Sequence, residues 1–380
     1  MKKIKITFPD NSFIESENEV RPILFLEKFN AKNKRIVAVK VNNEICSLDS
    51  PVSITSNIEP VFSDSKDGSA IYRRSLCFVL ASAAHKIFPG KRLLVGHSLG
   101  YGYYYTLELG EPLTRENILK LKNEMEQIIK DDKIIETDFI SYSEACSLFE
   151  ELGLTETRKQ LNYRCPSRVQ INRLEGFSDL YFGPLVGTTG ILNVFDLLPY
   201  SDGFLLRFPK KGQPEKLTEF VDQPKLFEIY KSYKLWGKRL NVTSAASLNQ
   251  LIHDRKESEF IDITETLQTK RISTIADEIL KKKSARIVLI AGPSSSGKTT
   301  TSKKLALQLE AIGYKPKVIS LDSYYLGRAQ TPKDENGNYD YECLEALNIE
   351  LLNQNLFDLF AGKQIKLPSY DFHAGVSYFK

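Results

Sequence analysis

The sequence predicts a multidomain protein in which α+β domains precede an α/β domain with a doubly wound parallel sheet. Three observations lead to this fold class. The chain has 380 residues, more than one ordinary domain requires. Its first part mixes alternating strand patterns with amphipathic helices. Near residue 290 a short apolar segment is followed by a glycine-rich loop and a helix, the order of elements that opens a doubly wound sheet.

Composition narrows the class of protein. Contents of 42% hydrophobic and 26% charged residues are ordinary for a globular protein. No apolar run approaches the roughly 18 residues of a membrane span, and no apolar signal core follows Met1. We therefore expect a cytoplasmic protein without a membrane partner. The net charge of +4 is too small to indicate nucleic acid by itself.

The cysteines predict neither a disulfide framework nor a zinc site. They number five, are widely scattered and include no Cys-x-x-Cys pair. Buried thiols are expected at Cys46, Cys77, Cys146, Cys165 and Cys343.

Residues 1–65 have the pattern of a small β-grasp domain. Alternating apolar residues at 4–8 and a turn at 9–12 predict an opening hairpin. A helix at 20–29 and another strand at 35–42 are expected to follow.

This start of the chain resembles the ubiquitin-like (TGS) leader domain of threonyl-tRNA synthetases and some GTPases. The resemblance lies in residues 39–44, Val-Lys-Val-Asn-Asn-Glu, and 48–51, Leu-Asp-Ser-Pro. It implies a domain that binds or regulates and that has no catalytic chemistry.

Residues 70–208 are predicted to form a second, α+β domain, after a polar linker at 63–70. An apolar stripe at 76–87 predicts its first helix. Thr114 is the predicted N-cap of a second helix, and a third is expected at 143–152.

The same region resembles the editing domain that follows the leader in threonyl-tRNA synthetases. That family has residues of metal-binding type at four positions, a His-x-x-x-His pair and the Cys and final His of Asp-Leu-Cys-x-Gly-Pro-His. The four matching positions of this chain lack metal-binding groups and are Tyr72, Leu76, Tyr181 and Leu185. The resemblance implies that the fold is kept while zinc binding and deacylation are lost.

One motif suggests a hydrolase. Gly96-His97-Ser98-Leu99-Gly100 fits the Gly-x-Ser-x-Gly nucleophile elbow. The elbow requires a helix directly after its serine, but the segment at 101–109 is aromatic, broken by glycine and strand-like. We expect a strand, a turn and a strand here, and keep the hydrolase as the less favoured alternative.

Residues 210–283 predict a helical connector. Apolar residues recur at helical intervals over 226–236 and 260–283, and Thr243 is the expected cap of a short helix between them. The run Lys281-Lys282-Lys283 suits a helix C-terminus, which favours cations, with contact to a phosphate or RNA as the alternative.

Residues 284–380 contain the strongest chemical signal. A loop of the form Gly-x-x-x-x-Gly-Lys-Ser/Thr lies between a predicted buried strand at 286–291 and a predicted helix at 300–309, the context that the motif requires. Such a loop holds phosphates with its N–H groups. Lys298 would reach the outer phosphates and Thr299 would hold Mg²⁺. The predicted nucleotide-binding residues are Gly292, Pro293, Ser294, Ser295, Ser296, Gly297, Lys298, Thr299 and Thr300.

A second predicted strand, at 317–321, ends at Asp322, where such sheets bind their ligands. Asp322 is expected to act as a base and as a magnesium ligand, and the alternative is a carboxylate that only caps a turn. Clusters of acidic and aromatic residues follow at 338–341 and 367–373. The alternative for these rings is that they fill a core.

These segments resemble the uridine kinase family, whose nucleoside site combines Asp-Ser-Phe-Tyr, Asn-Phe-Asp and Pro-x-Tyr-Asp-Phe segments. The resemblance implies transfer of the ATP γ-phosphoryl to a ribose 5′-hydroxyl, with uridine or cytidine as substrate and Lys298 and Asp322 as catalytic residues. The family's base-contacting histidine lies further along, so the role of His373 stays open. The predicted substrate-binding residues are Tyr325, Tyr339, Asp340, Tyr370, Phe372 and His373.

The expected parallel sheet is incomplete. After residue 284 the sequence offers about three strands, the third at 364–368, whereas such sheets typically have about five or six. We therefore expect weak ATP binding and poor nucleoside phosphorylation. Two other hypotheses for the function remain, a tRNA-associated regulatory protein and a P-loop switch without a small-molecule acceptor. Neither the preferred base nor the oligomeric state follows from the sequence.

Overall fold

The computed structural model describes residues 3–29, 35–163, 166–293, 295–335 and 337–379. It mixes α-helices with several β-sheets and divides into two compact units, Met1–Lys256 and Glu257–Lys380, which we describe separately. No helix in the described ranges combines the length and apolarity that a membrane crossing requires. The finer division into four domains stays a prediction.

A five-stranded mixed sheet opens the first unit. Its strands are β1 (Ile4–Thr7), β2 (Phe13–Ser16), β3 (Ile36–Val41), β4 (Glu44–Cys46) and β5 (Ser56–Phe62). Their spatial order is β2-β1-β5-β3-β4, and only the β1–β5 pair is parallel. The predicted hairpin is confirmed by the pairing of Ile6 with Ile14. The predicted helix at 20–29 is a 3-10 helix, Pro22–Phe29.

The predicted linker at 63–70 is wrong, because helix α1 (Lys66–Ile87) begins inside it. Ser65 caps this helix by accepting a hydrogen bond of 3.0 Å from the Gly68 N–H. Gly68 packs so closely that a Cβ there would lie 1.9 Å from the carbonyl oxygen of Phe62. The polar residues therefore begin a helix, and its apolar face shares one core with Val37 and Ala38 of β3.

The rest of the first unit has seven strands and five α-helices within the described residues. They are β6 (Arg92–Ser98), β7 (Gly102–Glu108), α2 (Arg115–Lys130), β8 (Glu136–Ser141), α3 (Tyr142–Glu151), α4 (Thr155–Gln160), β9 (Arg168–Leu174), β10 (Phe177–Asp179), β11 (Asp196–Tyr200), β12 (Gly203–Arg207), α5 (Pro224–Arg239) and α6 (Ala245–His253). The predicted cap of α2 is confirmed, since the Thr114 side chain accepts a hydrogen bond from the Asn117 N–H. Ser244, rather than Thr243, caps α6.

Two antiparallel sheets lie in this region, β10-β9-β8 and β11-β12-β7-β6. Alternation along the strands gives the four-stranded sheet two apolar faces. Tyr105 and Phe204 point into the core with α1 and α2, whereas Tyr104 and Leu205 pack with Phe227 of α5 on the opposite face. The sheet is thus covered by helices on both sides.

The hydrolase alternative is wrong. Ser98 is the exposed last residue of β6, and the chain turns directly into β7. The Leu99 N–H closes this turn by donating to the Gly102 carbonyl oxygen at 3.0 Å. No helix follows the serine, so the strand, turn and strand predicted for this segment are confirmed.

The second unit contains α7 (Glu257–Lys281), α8 (Lys298–Ala311), α9 (Ile349–Phe360), β13 (Pro368–Asp371) and β14 (Val376–Phe379). Helices α7 and α8 pack through a small core of four buried residues, Ile272, Ala276, Leu305 and Leu309. The predicted connector at 210–283 is therefore divided, because α5 and α6 belong to the first unit and α7 to the second.

The predicted parallel sheet is not formed within the described residues of the second unit. The segments 286–291 and 317–321 carry no strand pairing, and most of their apolar side chains are exposed, with Leu289 at 86%. The third expected strand, 364–368, gives way to the antiparallel hairpin β13–β14. An apolar, β-branched segment becomes a strand only where a neighbouring strand satisfies its N–H and C=O groups, and here no neighbour pairs with it.

Candidate functional site

The glycine-rich loop leads directly into the first turn of α8. Gly297 is the N-cap residue and has a left-handed backbone, with φ of 84°, which glycine adopts without strain. A Cβ on Gly292 would lie 2.8 Å from the Ser296 hydroxyl, so glycine allows the loop to close on itself. The loop is exposed at the helix N-terminus, where N–H groups are free to bind an anion. Ser294 lies outside the described residues.

Lys298 folds back over this loop. Its Nζ donates hydrogen bonds to the carbonyl oxygens of Gly292, at 2.7 Å, and Pro293, at 2.9 Å. The ammonium group is therefore held beside the loop rather than extended into solvent. Thr299 and Thr300, in the same helical turn, are exposed.

Asp322 lies on a 3-10 turn, Leu321–Tyr324, and is exposed. Its carboxylate accepts no hydrogen bond within the described part of the chain, which disfavours the turn-cap alternative. Tyr324 anchors the turn, because this ring is buried and its hydroxyl accepts a hydrogen bond of 3.0 Å from the Asn355 side chain of α9.

An aromatic cluster surrounds Tyr325. Its ring centroid lies 5.5 Å from Tyr341, 5.5 Å from Tyr370 and 6.1 Å from Phe372. Tyr339 joins the edge of the cluster, 6.4 Å from Tyr341. Burial first, and the nearby Asp322 carboxylate after it, raises the pKa of Tyr325.

The structure thus brings the predicted aromatic residues together but leaves part of the cluster open. Phe372 is 59% exposed and Tyr339 is 43% exposed, so the rings do not fill a closed core. Tyr341 belongs to the cluster predicted at 338–341 but was not among the predicted substrate-binding residues, although its alternation with Tyr339 was a usable signal.

The two predicted polar residues have different positions. Asp340 accepts a hydrogen bond of 2.9 Å from the Glu342 N–H, which fixes its carboxylate in the loop beside the rings. His373 is exposed in the turn of the β13–β14 hairpin, where its backbone N–H donates a hydrogen bond to the Asp371 carboxylate at 2.9 Å. Hydrogen bonds from the Ala374 and His373 amides lower the pKa of Asp371.

Arg328 links the cluster to the hairpin and was also missed. Its backbone N–H donates to the Gly375 carbonyl oxygen at 2.8 Å, and its Nη2 donates to the carbonyl oxygens of Phe372 and His373 at 3.2 and 3.4 Å. Nothing in the sequence around Arg328 distinguishes it from an ordinary surface arginine. Only the tertiary structure shows that it positions Phe372.

The glycine-rich loop and the aromatic cluster pack against different elements. Helix α8 packs against α7, whereas the turn with Asp322 packs against β13 and α9. No hydrogen bond or ion pair joins Lys298 to Asp322 in the described residues. In a parallel sheet the two would meet at the carboxyl ends of adjacent strands, and those strands are not paired here.

The four residues that match the metal-type positions of the synthetase editing family contribute to packing in the first unit. Leu76 and Leu185 are fully buried, and the Tyr181 ring packs 5.2 Å from Phe78. The Tyr72 hydroxyl donates a hydrogen bond to the Val194 carbonyl oxygen at 3.3 Å and accepts one from the Val194 backbone N–H at 3.0 Å. Burial raises the pKa of Tyr72 to about 12.

No group of three or more His, Cys, Asp or Glu residues that could hold a metal occurs among the described residues. The cysteines found there are unpaired, as expected, but each is partly exposed rather than fully buried: Cys46, Cys77, Cys146 and Cys343. Cys165 lies outside the described residues.

Comparison with known proteins separates two parts of the chain. Residues 287–377 match the family model of the phosphoribulokinase / uridine kinase family. The curated relatives include several threonine–tRNA ligases. That of Oleidesulfovibrio alaskensis is 28% identical over 216 residues, which cover 56% of this chain and 34% of the relative. The Lawsonia intracellularis ligase is 30% identical, and the match covers 46% of this chain and 27% of that ligase. The Carboxydothermus hydrogenoformans ligase is 27% identical, and the match covers 58% of this chain and 38% of that ligase.

The chain spans about a third of the length of these relatives. The family match supports a P-loop kinase domain in the C-terminal part, and the ligase similarity is consistent with a synthetase-like N-terminal region. The assignment of residues 1–65 to the TGS class stays a prediction.

Proposed function

We propose that the second unit is a nucleoside kinase domain that transfers the γ-phosphoryl of ATP to the ribose 5′-hydroxyl of uridine or cytidine. The observation that supports this most is that one family match, over residues 287–377, covers both the phosphate loop and the aromatic cluster. A nucleotide switch without an acceptor would need the loop but not the cluster.

The loop residues fit the phosphates of ATP. The amides at the N-terminus of α8 and the ammonium group of Lys298 are positioned to bind oxyanions. Because Gly292 has no side chain, it packs closely on Ser296 and its backbone can approach the phosphates. The hydroxyl of Thr299 and the carboxylate of Asp322 are oxygen donors of the kind Mg²⁺ prefers. Bound magnesium would neutralise charge on the transferred phosphoryl group.

The acceptor would bind at the aromatic cluster. Its base would stack on the exposed ring of Phe372, with Tyr325, Tyr339 and Tyr370 beside it, and Asp340 would orient the sugar hydroxyls. Asp322 would accept the proton of the 5′-hydroxyl during attack on the γ-phosphorus.

The test is ADP release by the full chain with ATP and magnesium, in the presence of uridine, cytidine or adenosine. We expect slow release, since phosphorylation by this chain is expected to be poor, but release that depends on a pyrimidine nucleoside and yields a new 5′-monophosphate detected by chromatography. ADP release that is the same with and without a nucleoside would support a switch and contradict the kinase.

A second candidate is a tRNA-associated regulatory protein, favoured by the similarity to threonine–tRNA ligases. A gel shift with total tRNA, run with and without ATP, separates the two. Submicromolar tRNA binding combined with no nucleoside-dependent turnover would favour this candidate.

A further inference from the structure

A cavity of about 410 Å³ lies in the first unit, between α5 and the face of the four-stranded sheet that points away from α1. Its walls come from the end of β6, from β7, from the β11–β12 turn and from α5. The size suits a small organic ligand. None of Tyr72, Leu76, Tyr181 and Leu185 lines it, and it is distinct from the proposed kinase site.

Three lysines of α5 line the cavity, and two of them are already paired. Lys231 lies 3.3 Å from the Asp202 carboxylate, and Lys238 lies 3.6 Å from Glu108. Lys234, between them, donates instead to the Thr106 hydroxyl at 2.8 Å. No carboxylate lies within ion-pair distance of its Nζ in the described residues.

Lys234 is also partly removed from water. Burial, and after it the positive charge of Lys238, lowers the pKa of its ammonium group, while the Asp202 and Glu108 carboxylates act less strongly in the opposite direction. A cation that is partly desolvated and has no carboxylate within ion-pair distance gains more from an incoming anion than a paired surface lysine does.

The walls beside Lys234 are aromatic. The His97 ring stacks on Tyr230 with centroids 4.1 Å apart and planes at 19°, and Tyr104 meets Phe227 edge-on at 4.8 Å. His97 belongs to the Gly96–Gly100 motif, which neither the kinase chemistry nor the synthetase resemblance uses. Flat aromatic walls favour a planar body in the ligand.

We propose that this cavity binds a small aromatic anion, whose planar body lies against the His97–Tyr230 stack and whose single negative group pairs with Lys234. The proposal does not depend on the kinase function, because every residue that carries it belongs to the first unit.

Two dyes of similar shape test the proposal on the full chain. One is 8-anilinonaphthalene-1-sulfonate, which is anionic, and the other is N-phenyl-1-naphthylamine, which is its uncharged counterpart. The chain has one tryptophan, Trp236 on α5, so dye emission sensitised by tryptophan reports binding near this helix.

The variants are Lys234→Met and a matched control, Lys225→Met, which removes an exposed lysine of α5 outside the cavity. We expect Lys234→Met to weaken sensitised binding of the anionic dye about tenfold or more and binding of the neutral dye less than about twofold. Lys225→Met should change neither. Equal loss of both dyes, or no loss of the anionic dye, overturns the proposal.

A second variant covers the case in which Lys234→Met does not fold, as judged by its melting curve. His97→Ala removes an exposed ring and should weaken sensitised binding of both dyes severalfold. Unchanged binding of both dyes by this variant would also overturn the proposal.

Discussion

The ammonium group of Lys298 lies against two carbonyl oxygens of the loop that precedes it. These are ordinary hydrogen bonds to neutral acceptors. A phosphate offers stronger, charge-assisted hydrogen bonds at the same helix N-terminus, so the side chain can exchange its partners without moving far. In the proposed function, this one residue links the loop sequence to phosphate binding.

We expect Lys298→Ala to abolish detectable ATP binding, because it removes the cation of the loop. Calorimetric titration of ATP with magnesium measures this. Lys303→Ala, an exposed lysine on the same helix, is the control and should bind like the unmodified chain. Full affinity in Lys298→Ala would contradict the proposed loop.

Asp322→Asn should keep ATP affinity and lower the phosphoryl-transfer rate by roughly two to four powers of ten, the usual contribution of a positioned base. The carboxylate has no structural hydrogen bond in the described residues, so the change should leave the melting temperature almost unaltered. Single-turnover rates are compared with those of Asp277→Asn, an exposed aspartate of α7. An unchanged rate would show that Asp322 is not the base.

At the scale of elements, the β13–β14 hairpin depends on a contact from outside itself. Its four residue pairs are short for an isolated hairpin, which is at best marginally stable in water. The hydrogen bonds from Arg328 hold the turn and with it Phe372. The shape of the proposed acceptor site therefore rests on a residue outside the aromatic cluster.

Arg328→Ala should loosen the hairpin and raise KM for the nucleoside about tenfold, because two side-chain hydrogen bonds worth about 0.5–1.5 kcal/mol each are lost. ATP binding should not change. Hydrogen exchange at 371–377 gives a second measurement and should become faster. Lys315→Ala is the control, and normal exchange in Arg328→Ala would rule out the positioning role.

Helix α1 and the loop before β11 carry the four positions that match the metal-type positions of the synthetase editing family. Leu76 and Leu185 add to the core where ligands would stand. We expect the purified protein to contain no stoichiometric zinc and to leave mischarged tRNA intact. Elemental analysis and a deacylation assay measure this, and one zinc per chain would count heavily against it.

At the scale of the whole molecule, internal contacts divide the chain after Lys256. The turn between α6 and α7 is exposed, and Arg255 in it has a positive φ of 56°. Exposed turns at unit boundaries are preferred sites of proteolytic cleavage. Two basic residues make this turn a substrate for trypsin.

Brief trypsin digestion should therefore cut first after Arg255 or Lys256 and release one fragment per unit. Mass spectrometry identifies the cut, and a chain with both residues changed to Gln should resist it. If the first cuts fell inside the first unit instead, the division into two compact units would be wrong.

The sequence by itself determined the features that depend on local interactions. Helices such as α2 and α8 were predictable because apolar spacing and caps act within a few residues, as Thr114 shows. The phosphate loop was predictable for the same reason, since Gly297 supplies its own backbone conformation. The membership of Tyr325, Tyr370 and Phe372 in one candidate site came from the family resemblance.

Only the tertiary structure decided the features that require a distant partner. Residues 286–291 have the composition of a buried strand, yet they lie exposed because no neighbouring strand pairs with them. The role of Arg328 and the cavity beside Lys234 depend on segments 44 to 128 residues apart in sequence. Strand pairing, the positioning of one side chain by another and cavities all arise between distant segments. Local sequence patterns do not show which segments will be in contact.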